Sequence, residues 1–451
     1  MKLNLYIHHR DIRYHDNTTM ILQNKKELNI TPIFIFDPIQ IDPKINKYFS
    51  NGLVQFMIES LKYYNNELKK LDGELYYYYG DTLEVIKHIN NIIGINSIGF
   101  NCEYSPFGRS RDNKIIEYAK INNIIIYNED DYLLFKINET IHIKNNRPYL
   151  KYTPFYKNIQ NNLEVRKVNK FKNFTFYKTN KLNNIKYNLT DIDKLYKKNN
   201  NLYVHGGREN ALNILKNIKE DINTSLSSYI NFNILSIRYI YYNIKKKFNI
   251  NCNFIRQLIF REFYHILVYY YPYVIYRNYY TKYDNIIWSK NKYYFYAWCT
   301  GKTGYPIIDA AIKQLITCNY INNRLRMLVA SFLIKNLHID WRKGEQFFAQ
   351  HLEDYNIFNN WGGWSGIAGI GFSGQPYFRV FSPEVHSKKY DKNCIYIKKW
   401  IPELINVPNN DIHSWTSKYK TYLKKGIQYY SPIINFEKSK NEYLNKILLC
   451  K

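Results

Sequence analysis

Five short apolar segments constrain the fold of the first 130 residues more than any other feature of the sequence. They are LNLYI, ITPIFIFD, ELYYYY, SIGFN and NIIIYN, and their length and their β-branched or aromatic content are typical of buried strands. Between them, VQFMIESLKYYNNELKKL and TLEVIKHINNI carry apolar residues at helical spacing. Strands that alternate with helices predict a parallel, doubly wound α/β sheet. No G-x-G-x-x-G motif is present, so the dinucleotide-binding fingerprint is absent.

The remainder of the chain has a different pattern, which predicts a second domain. Residues 131–201 are polar, rich in Asn and Lys and weakly periodic, as expected of a connector. From residue 202 to residue 451 the apolar residues recur at helical spacing. We therefore predict an α/β domain over residues 1–130, an interdomain connector over 131–201 and an all-α domain over 202–451.

Charge and cysteine content bound the class of partner and the compartment. The chain has 64 Lys and Arg against 37 Asp and Glu, a formal net charge of +27. Such a charge favours polyanions, including nucleic acid, although a coding bias toward Lys and Asn explains the excess equally well. The six cysteines have no C-x-x-C spacing, and no apolar run is long enough to span a bilayer. We expect a soluble, monomeric, intracellular protein without a structural metal.

The stretch NNRLRMLVASFLIKNLHIDW, residues 322–341, suggests a ligand site. Leu325, Val329 and Phe332 recur near helical spacing, which predicts a helix with a buried face. Asn323 and Met327 are four residues apart and therefore lie one above the other on a second face. Buried polar side chains need partners, and a heteroaromatic ligand would supply them here.

A family resemblance rests on six further segments in order. GYPIIDAAIKQL, NRLRM, IDWRKGEQFF, NNWGGW, PYFRVFSP and KKWIPEL resemble the flavin-binding half of the photolyase/cryptochrome family. RDIRYHDN and FNCEYSPFGRSRD are similar to its amino-terminal half, and KYTPFYKN to the start of its connector. The resemblance implies FAD as the cofactor in the helical domain. Members of the family also carry, in some cases, a folate or deazaflavin antenna in the α/β domain; the sequence leaves open whether this chain does.

The resemblance also implies where FAD is held. NTSLSSYINFNILS corresponds to a segment that binds the flavin diphosphate, although its hydroxyls would serve equally well as helix caps. Ser228 replaces the usual Pro, Asn233 the usual Gly, and Asn356 an Asp that holds the flavin pyrimidine edge. The implied cofactor-binding residues are Asn223, Thr224, Ser225, Leu226, Ser227, Phe254, Arg261, Asn323, Arg326, Asp354, Tyr355, Asn356 and Asn360.

A chain of tryptophans is the second implication of the resemblance. Trp364, Trp341 and Trp288 match the three positions along which the family passes electrons from the surface to the flavin. Individually, each would more often be a packing residue. Asn360 matches the position that faces the flavin N5 atom. With Gln257, these residues make up the predicted catalytic set.

The predicted DNA-contacting residues depart in part from the family's repair enzymes. They are Gln257, Phe260, Asn323, Arg324, Met327 and Arg379. Asn323 and Met327 are typical of cyclobutane-dimer photolyases, whereas Gln257 replaces their Glu and is typical of (6-4) photolyases and animal cryptochromes. Phe260 and Gly366 each replace a Trp, and NWGGW is similar to the DASH branch, which favours single-stranded DNA.

The sequence therefore favours a lyase that splits cyclobutane pyrimidine dimers in DNA by electron transfer from photoexcited reduced FAD. Three alternatives stay open. The first is a blue-light photoreceptor of the cryptochrome type, and the second is DASH-like repair of single-stranded DNA. The third is a light-independent basic protein that binds nucleic acid.

Overall fold

The structure is a computed structural model that describes residues 2–27, 29–142, 145–219, 224–372 and 376–448. It forms two compact units. The first comprises Met1–Asn199, Val204–Tyr273 and Glu353–Phe358, and the second comprises Asn200–Tyr203, Val274–Leu352 and Asn359–Lys451. These units follow spatial packing, and the predicted division of the sequence at residues 130 and 201 stays a prediction.

The first unit is built on a five-stranded sheet whose strand order is β3-β2-β1-β4-β5. Its strands are β1 (Leu3–His8), β2 (Ile30–Phe36), β3 (Tyr76–Tyr79), β4 (Ile95–Asn101) and β5 (Ile125–Glu129). Every neighbouring pair is parallel. All residues of β1 and β2 are buried, as expected of central strands with helices on both faces. The five predicted strands and the doubly wound α/β fold are confirmed.

Ten α-helices belong to the first unit within the described residues, and several begin at a polar cap. Ser50 accepts from the Leu53 N–H, so α3 begins three residues before the predicted segment, and Asp81 accepts from the Glu84 N–H, so α4 begins at its predicted first residue. The helices are α1 (Thr18–Glu27), α2 (Pro38–Ile41), α3 (Asn51–Lys69), α4 (Thr82–Ile92), α5 (Pro106–Ile121), α6 (Tyr152–Asn162), α7 (Arg208–Asn217), α8 (Ser227–Asn231), α9 (Ile237–Lys247) and α10 (Asn253–Tyr270).

The segment after the sheet covers its β3 edge. The Tyr79 N–H donates to the Tyr187 carbonyl (2.9 Å), and the Leu189 N–H donates to the Tyr77 carbonyl (2.9 Å). An exposed strand edge is a template for pairing with another chain. This part of the predicted connector therefore protects the sheet.

A buried ion network fixes the RDIRYHDN motif inside the first unit. Asp131 is fully buried and accepts from Arg13 and from Arg238, the latter at 2.7 Å. Arg238 also pairs with Asp16 at 3.0 Å. Burial by itself would raise the pKa of Asp131, but the two guanidinium groups lower it well below its usual value. The two positive and two negative charges balance, which is the condition for burying them.

Within its described residues, the second unit contains helices and the segments that connect them, and no strand. Its helices are α11 (Lys292–Cys299), α12 (Pro306–Cys318), α13 (Asn323–Lys335), α14 (Trp341–His351), α15 (Ile357–Ala368, which begins in the first unit), α16 (Pro383–Tyr390), α17 (Ile395–Trp400), α18 (Asn409–His413), α19 (Trp415–Lys424) and α20 (Phe436–Leu448). Val329, Phe332 and Leu333 on α13 are completely buried. The predicted all-α architecture and the predicted α13 helix are confirmed.

None of the described helices is long and apolar enough to cross a bilayer. The five cysteines within the described ranges have free thiols.

Candidate functional site

The predicted phosphate-binding segment lies in the first unit, at the start of α8. Asn223 falls outside the described residues. Ser225 adopts a left-handed backbone conformation, with φ of 53°. Leu226, an apolar residue, occupies the N-cap position of α8, so the hydroxyls of Thr224 and Ser227 on either side do not serve as that helix's cap. The capping interpretation therefore does not hold for these two hydroxyls, whereas the Ser236 hydroxyl at the end of the same segment caps α9 by accepting from the Arg238 and Tyr239 N–H groups.

Of the two substitutions in this segment, Asn233 has a physical explanation and Ser228 has none in the structure. Asn233 stands where the family has Gly because its φ is 45°, in the left-handed region that Asn tolerates best after Gly. The hydroxyl of Ser228, which replaces Pro, is buried and has no hydrogen-bond partner within the described residues.

Asn231, at the end of α8, is hydrogen-bonded to Tyr355 and Asn356. Asn356 is the residue predicted to meet the pyrimidine edge of the flavin, and residues 354–356 are called the ring-edge loop below. The Asn231 side-chain Nδ2 donates to the Tyr355 carbonyl (2.8 Å), and its Oδ1 accepts from Nδ2 of Asn356 (3.0 Å). Arg10 donates to the same oxygen at 3.5 Å and forms an ion pair with Glu103. Asp354 and Asn356 are both buried. Thus Asn356, predicted from the resemblance, is held by a residue that the sequence did not single out.

Helix α10 presents Gln257 and Phe260 on one face. Gln257 is exposed, and Phe260 is half-buried with its ring 4.1 Å from the ring of Tyr152. Arg261 is buried, donates to the Tyr132 carbonyl (3.0 Å) and pairs with Glu262 (3.3 Å). Burial raises the pKa of Glu262 to about 7 against the opposing charge of Arg261. Phe254, also predicted as a cofactor residue, is buried at the start of the same helix.

In the second unit, α13 carries the predicted polar face, but the expectation that this face is buried is wrong, because Asn323 is exposed and Arg326 and Met327 are half-buried. Asn322 caps the helix by accepting from the Leu325 N–H (3.1 Å). The Asn323 amide then lies 3.8 Å from the Met327 sulfur, which confirms that these two side chains stack along the helix. Arg326 donates from Nε to the Ile321 carbonyl at 2.8 Å.

The second unit also carries the two arginines predicted to contact DNA, and both are exposed. Arg324 donates to the Tyr390 hydroxyl (2.7 Å) and its guanidinium lies 4.0 Å from the centre of that ring. Arg379 is exposed in the segment after α15. The buried Lys335 donates to the Arg379 carbonyl (2.8 Å) and so holds that segment. Burial, aided by the nearby Arg379 charge, lowers the pKa of Lys335 to about 8.

Asn360 on α15 has a defined amide orientation. Its Nδ2 donates to the backbone carbonyl of Glu345 (3.0 Å) and to the Glu345 carboxylate (2.8 Å). Carbonyl and carboxylate oxygens only accept, so the amide nitrogen of Asn360 faces Glu345. The group that Asn360 offers to a ligand donor is therefore its oxygen.

Two of the three predicted relay tryptophans are buried. Trp341 begins α14 and is 1% exposed, and its indole N–H has no partner within the described residues. Trp364 on α15 is 2% exposed and meets Trp298 edge to face, with ring centres 6.2 Å apart. Gly344 makes room for Trp364, because a Cβ there would lie 2.2 Å from the indole Cη2. Trp288 lies outside regular structure and is half-buried.

Three residues with a place in this arrangement were missed in the sequence. Asn231 and Lys335 orient other groups through hydrogen bonds over large sequence separations, and no local pattern reveals such bonds. Trp298 stands in an aromatic-rich segment, YYFYAW, in which nothing sets it apart from its neighbours.

Comparisons with known proteins find family matches in both halves of the chain. Residues 4–175 match the family model "DNA photolyase", and residues 254–448 match "FAD binding domain of DNA photolyase". The deoxyribodipyrimidine photo-lyase of Buchnera aphidicola subsp. Baizongia pistaciae is 34% identical over 478 aligned positions, which cover 98% of both chains.

Two solved structures have the same fold over almost the whole chain. An archaeal photolyase from Sulfolobus tokodaii, described with two FAD molecules, has a TM-score of 0.88 and 34% identity, and the match covers 100% of both chains. A cryptochrome from Synechocystis sp. PCC6803 has a TM-score of 0.87 and 25% identity, and the match covers 99% of both chains. The expectations of a photolyase-type enzyme with FAD as its cofactor are confirmed, and the chain belongs to the DNA photolyase family.

Proposed function

We propose that this protein splits cyclobutane pyrimidine dimers in DNA in a reaction driven by blue light. The observation that carries the proposal is the stacked pair Asn323 and Met327, 3.8 Å apart on α13. Neither side chain can exchange a proton near neutral pH. Opening a cyclobutane ring needs one electron in and one electron out without net proton transfer, so this face suits that lesion. The (6-4) reaction needs a histidine here.

The polar groups of the site match the chemistry of reduced FAD. The N5 atom of reduced flavin carries a hydrogen, and Asn360 offers an oxygen because its nitrogen is bonded to Glu345. The hydroxyls of Thr224 and Ser227, which do not cap α8, suit the oxygens of a diphosphate. When bound, reduced FAD supplies, on excitation, the electron that opens the ring, and it accepts that electron back.

Trp364, Trp341 and Trp288 would carry electrons from an external reductant at the protein surface when the cofactor is oxidised. Two of these indoles are buried, and Trp288 is half-buried. The Trp341 N–H has no acceptor within the described residues, so an oxidised Trp341 would keep its proton and pass the hole onward. We assign them to activation of the enzyme and not to repair itself.

Arg324 and Arg379 would contact DNA phosphates. Both are exposed, and both are anchored, Arg324 by Tyr390 and the Arg379 backbone by Lys335. The damaged pair would leave the helix to reach the flavin, as other base-modifying enzymes require. Gln257 and Phe260, whose ring packs against Tyr152, would contact the damaged pair.

The altered lesion-facing residues favour single-stranded or weakly paired DNA. Gly366 lacks the indole of the usual Trp, and stacking is worth about 1–3 kcal/mol per base. Binding a lesion in duplex DNA also requires the free energy of unpairing the damaged bases, which a single strand does not require. Without this stacking energy, the site should therefore bind the lesion in single-stranded DNA better than in a duplex. We also propose that an antenna, if one is carried, is a folate, a deazaflavin or, as in the Sulfolobus protein, a second FAD.

The test is repair of defined lesions. The purified protein, with its flavin chemically reduced, is mixed with a single-stranded or a duplex oligonucleotide that contains one thymine cyclobutane dimer. Recovery of thymine absorbance under blue light, but not in the dark, is expected, and it should be faster with the single strand. A (6-4) lesion in the same sequence is the control and should persist. Photoreduction of the flavin without repair of either strand would instead support a photoreceptor.

A further inference from the structure

The amide of Asn356 lies in a hydrogen-bonded row whose direction can be deduced. The row runs from the Tyr355 carbonyl to Nδ2 of Asn231 (2.8 Å), and from Oδ1 of Asn231 to Nδ2 of Asn356 (3.0 Å). All three residues belong to the first unit. Asn231 and Asn356 are both buried, with 5% and 6% of their surface exposed, so an inverted amide would not be compensated by bulk water.

Both ends of Asn231 have partners of fixed polarity. The Tyr355 carbonyl can only accept, so the side-chain atom of Asn231 that faces it must be the nitrogen. Arg10 can only donate, and it approaches the opposite atom at 3.5 Å, so that atom must be the oxygen. The Arg10 guanidinium is itself fixed by its ion pair with Glu103, at 2.9 Å. Two independent partners therefore give the same orientation for Asn231.

The orientation of Asn231 dictates that of Asn356. Because Asn231 presents an oxygen, Asn356 must present its nitrogen to it, and the other atom of the Asn356 amide is an oxygen. A carboxylate at residue 356 would place oxygen against oxygen at this contact. Inverting Asn231 would then place its oxygen against the Tyr355 carbonyl and its nitrogen against Arg10. The neutral amide at residue 356 is thus matched to Asn231 and Arg10.

We propose that Asn231, with Arg10, is a positioning residue that fixes the Asn356 amide so that its oxygen accepts the flavin N3–H. The inference rests on the proposed placement of Asn356 at the pyrimidine edge of FAD. The inference adds two residues that fix the orientation of the Asn356 amide, namely Asn231 of α8 and Arg10 of the RDIRYHDN motif. Through Asn231, α8 connects the predicted phosphate segment with the predicted ring-edge loop.

The test uses a ligand altered at a single atom. The apoprotein is titrated with FAD and with 3-methyl-FAD, which lacks the N3 hydrogen, and binding is followed by flavin fluorescence. The bulk of the methyl group is the same for every variant, so a change in the affinity ratio between variants reports the hydrogen bond. For wild-type protein we expect FAD to bind more tightly.

Asn231→Leu removes the partner of Asn356, and the preference for FAD should fall by about three- to tenfold, the range of one net hydrogen bond. Asn231→Asp retains an oxygen for Asn356 and Arg10 but sets its second oxygen against the Tyr355 carbonyl, so it should lose less of the preference than Asn231→Leu does. Asn233→Gly, in the same turn, is the matched control, since the Asn233 side chain makes no hydrogen bond within the described residues, and it should leave the preference unchanged. Circular dichroism checks that each variant is folded.

The outcomes separate this inference from the proposed function. If Asn231→Leu and wild type show the same preference, Asn231 does not orient Asn356 and the inference is wrong, while the flavin site stands. If wild type itself binds both flavins equally well, the placement of Asn356 at N3–H is wrong, and the inference fails with it. If repair activity is absent although wild type prefers FAD, only the proposed function fails. Should Asn231→Leu not fold, Asn231→Ala also removes the partner of Asn356, and an unchanged preference in Asn231→Ala would equally overturn the inference.

Discussion

Substitution of Gly344 tests how tightly the protein confines the indole ring of Trp364. A methyl group added at Gly344 would lie 2.2 Å from Cη2 and 2.4 Å from Cζ3 of Trp364, and 2.5 Å from a methyl of Leu333. Ordinary contacts begin near 3.4 Å, so the Trp364 ring must move by roughly 1 Å. Trp364 is 2% exposed and is also packed against Phe348, with ring centres 4.9 Å apart. It has little room to do so.

The magnitude follows from two opposing terms. Overpacking a core lowers the free energy of unfolding by about 1–3 kcal/mol. Replacing Gly by Ala within a helix raises it by about 0.5–1 kcal/mol. Because three atoms would lie within 2.5 Å of the added methyl group, the upper part of the overpacking range applies, and we expect Gly344→Ala to lower the free energy of unfolding by about 1–2.5 kcal/mol. Gly363→Ala on α15 is the matched control, because a Cβ at Gly363 meets no described atom within 4 Å. It should raise the free energy of unfolding by about 0.5–1 kcal/mol.

Urea unfolding measures the stability, and bleaching of the oxidised flavin band under blue light measures photoreduction. Electron transfer depends steeply on the distance and orientation of the donor, so Gly344→Ala should also slow photoreduction, whereas Gly363→Ala should not. Equal stability and equal photoreduction in the two variants would show that Trp364 is not confined as the structure indicates.

Three further predictions test other parts of the molecule. Trp341→Phe should abolish photoreduction of oxidised FAD while sparing repair by chemically pre-reduced protein; photoreduction at the wild-type rate would contradict the relay. Asp131→Asn should lower the free energy of unfolding by about 3–5 kcal/mol, because Arg13 and Arg238 would be left with one uncompensated buried charge; a change below about 1 kcal/mol in urea unfolding would contradict this. Burial raises the pKa of Asp309 to about 6 from its usual 3.8. The protonated carboxyl group therefore stabilises the folded state, and this stabilisation is lost as the pH rises from about 4 through 6. Unfolding free energies measured between pH 4.5 and 7 should therefore fall less steeply in Asp309→Asn than in wild type, by up to about 1.4 kcal/mol per pH unit, and parallel profiles would refute the assignment.

The fold could be predicted because its determinants are local. Each of the five strands is a short run of apolar residues, and the helices between them begin at caps such as Ser50 and Asp81. The stacking of Asn323 on Met327 likewise follows from the helical repeat alone. Patterns with a period of 2 or 3.6 residues survive in any context that buries one face, so they can be seen in one sequence.

The fixing of the site could not be predicted from the same patterns. Asn231 meets Asn356 across 125 residues, and Arg10 meets Asn231 across 221. Lys335 reads as one more polar residue of α13, yet it is completely buried and bonded to the Arg379 carbonyl. Orientation of an amide or an ammonium depends on which acceptors the tertiary fold brings near it, and that information is spread over the whole chain.

Whether the protein holds a flavin can be measured from the visible absorption spectrum of the purified protein. If the residues assigned here hold FAD, the protein should show flavin absorption at about one FAD or more per chain. Blue light with an external electron donor should bleach the oxidised band. A protein that is colourless, and that stays colourless after incubation with FAD and gel filtration, would contradict the account.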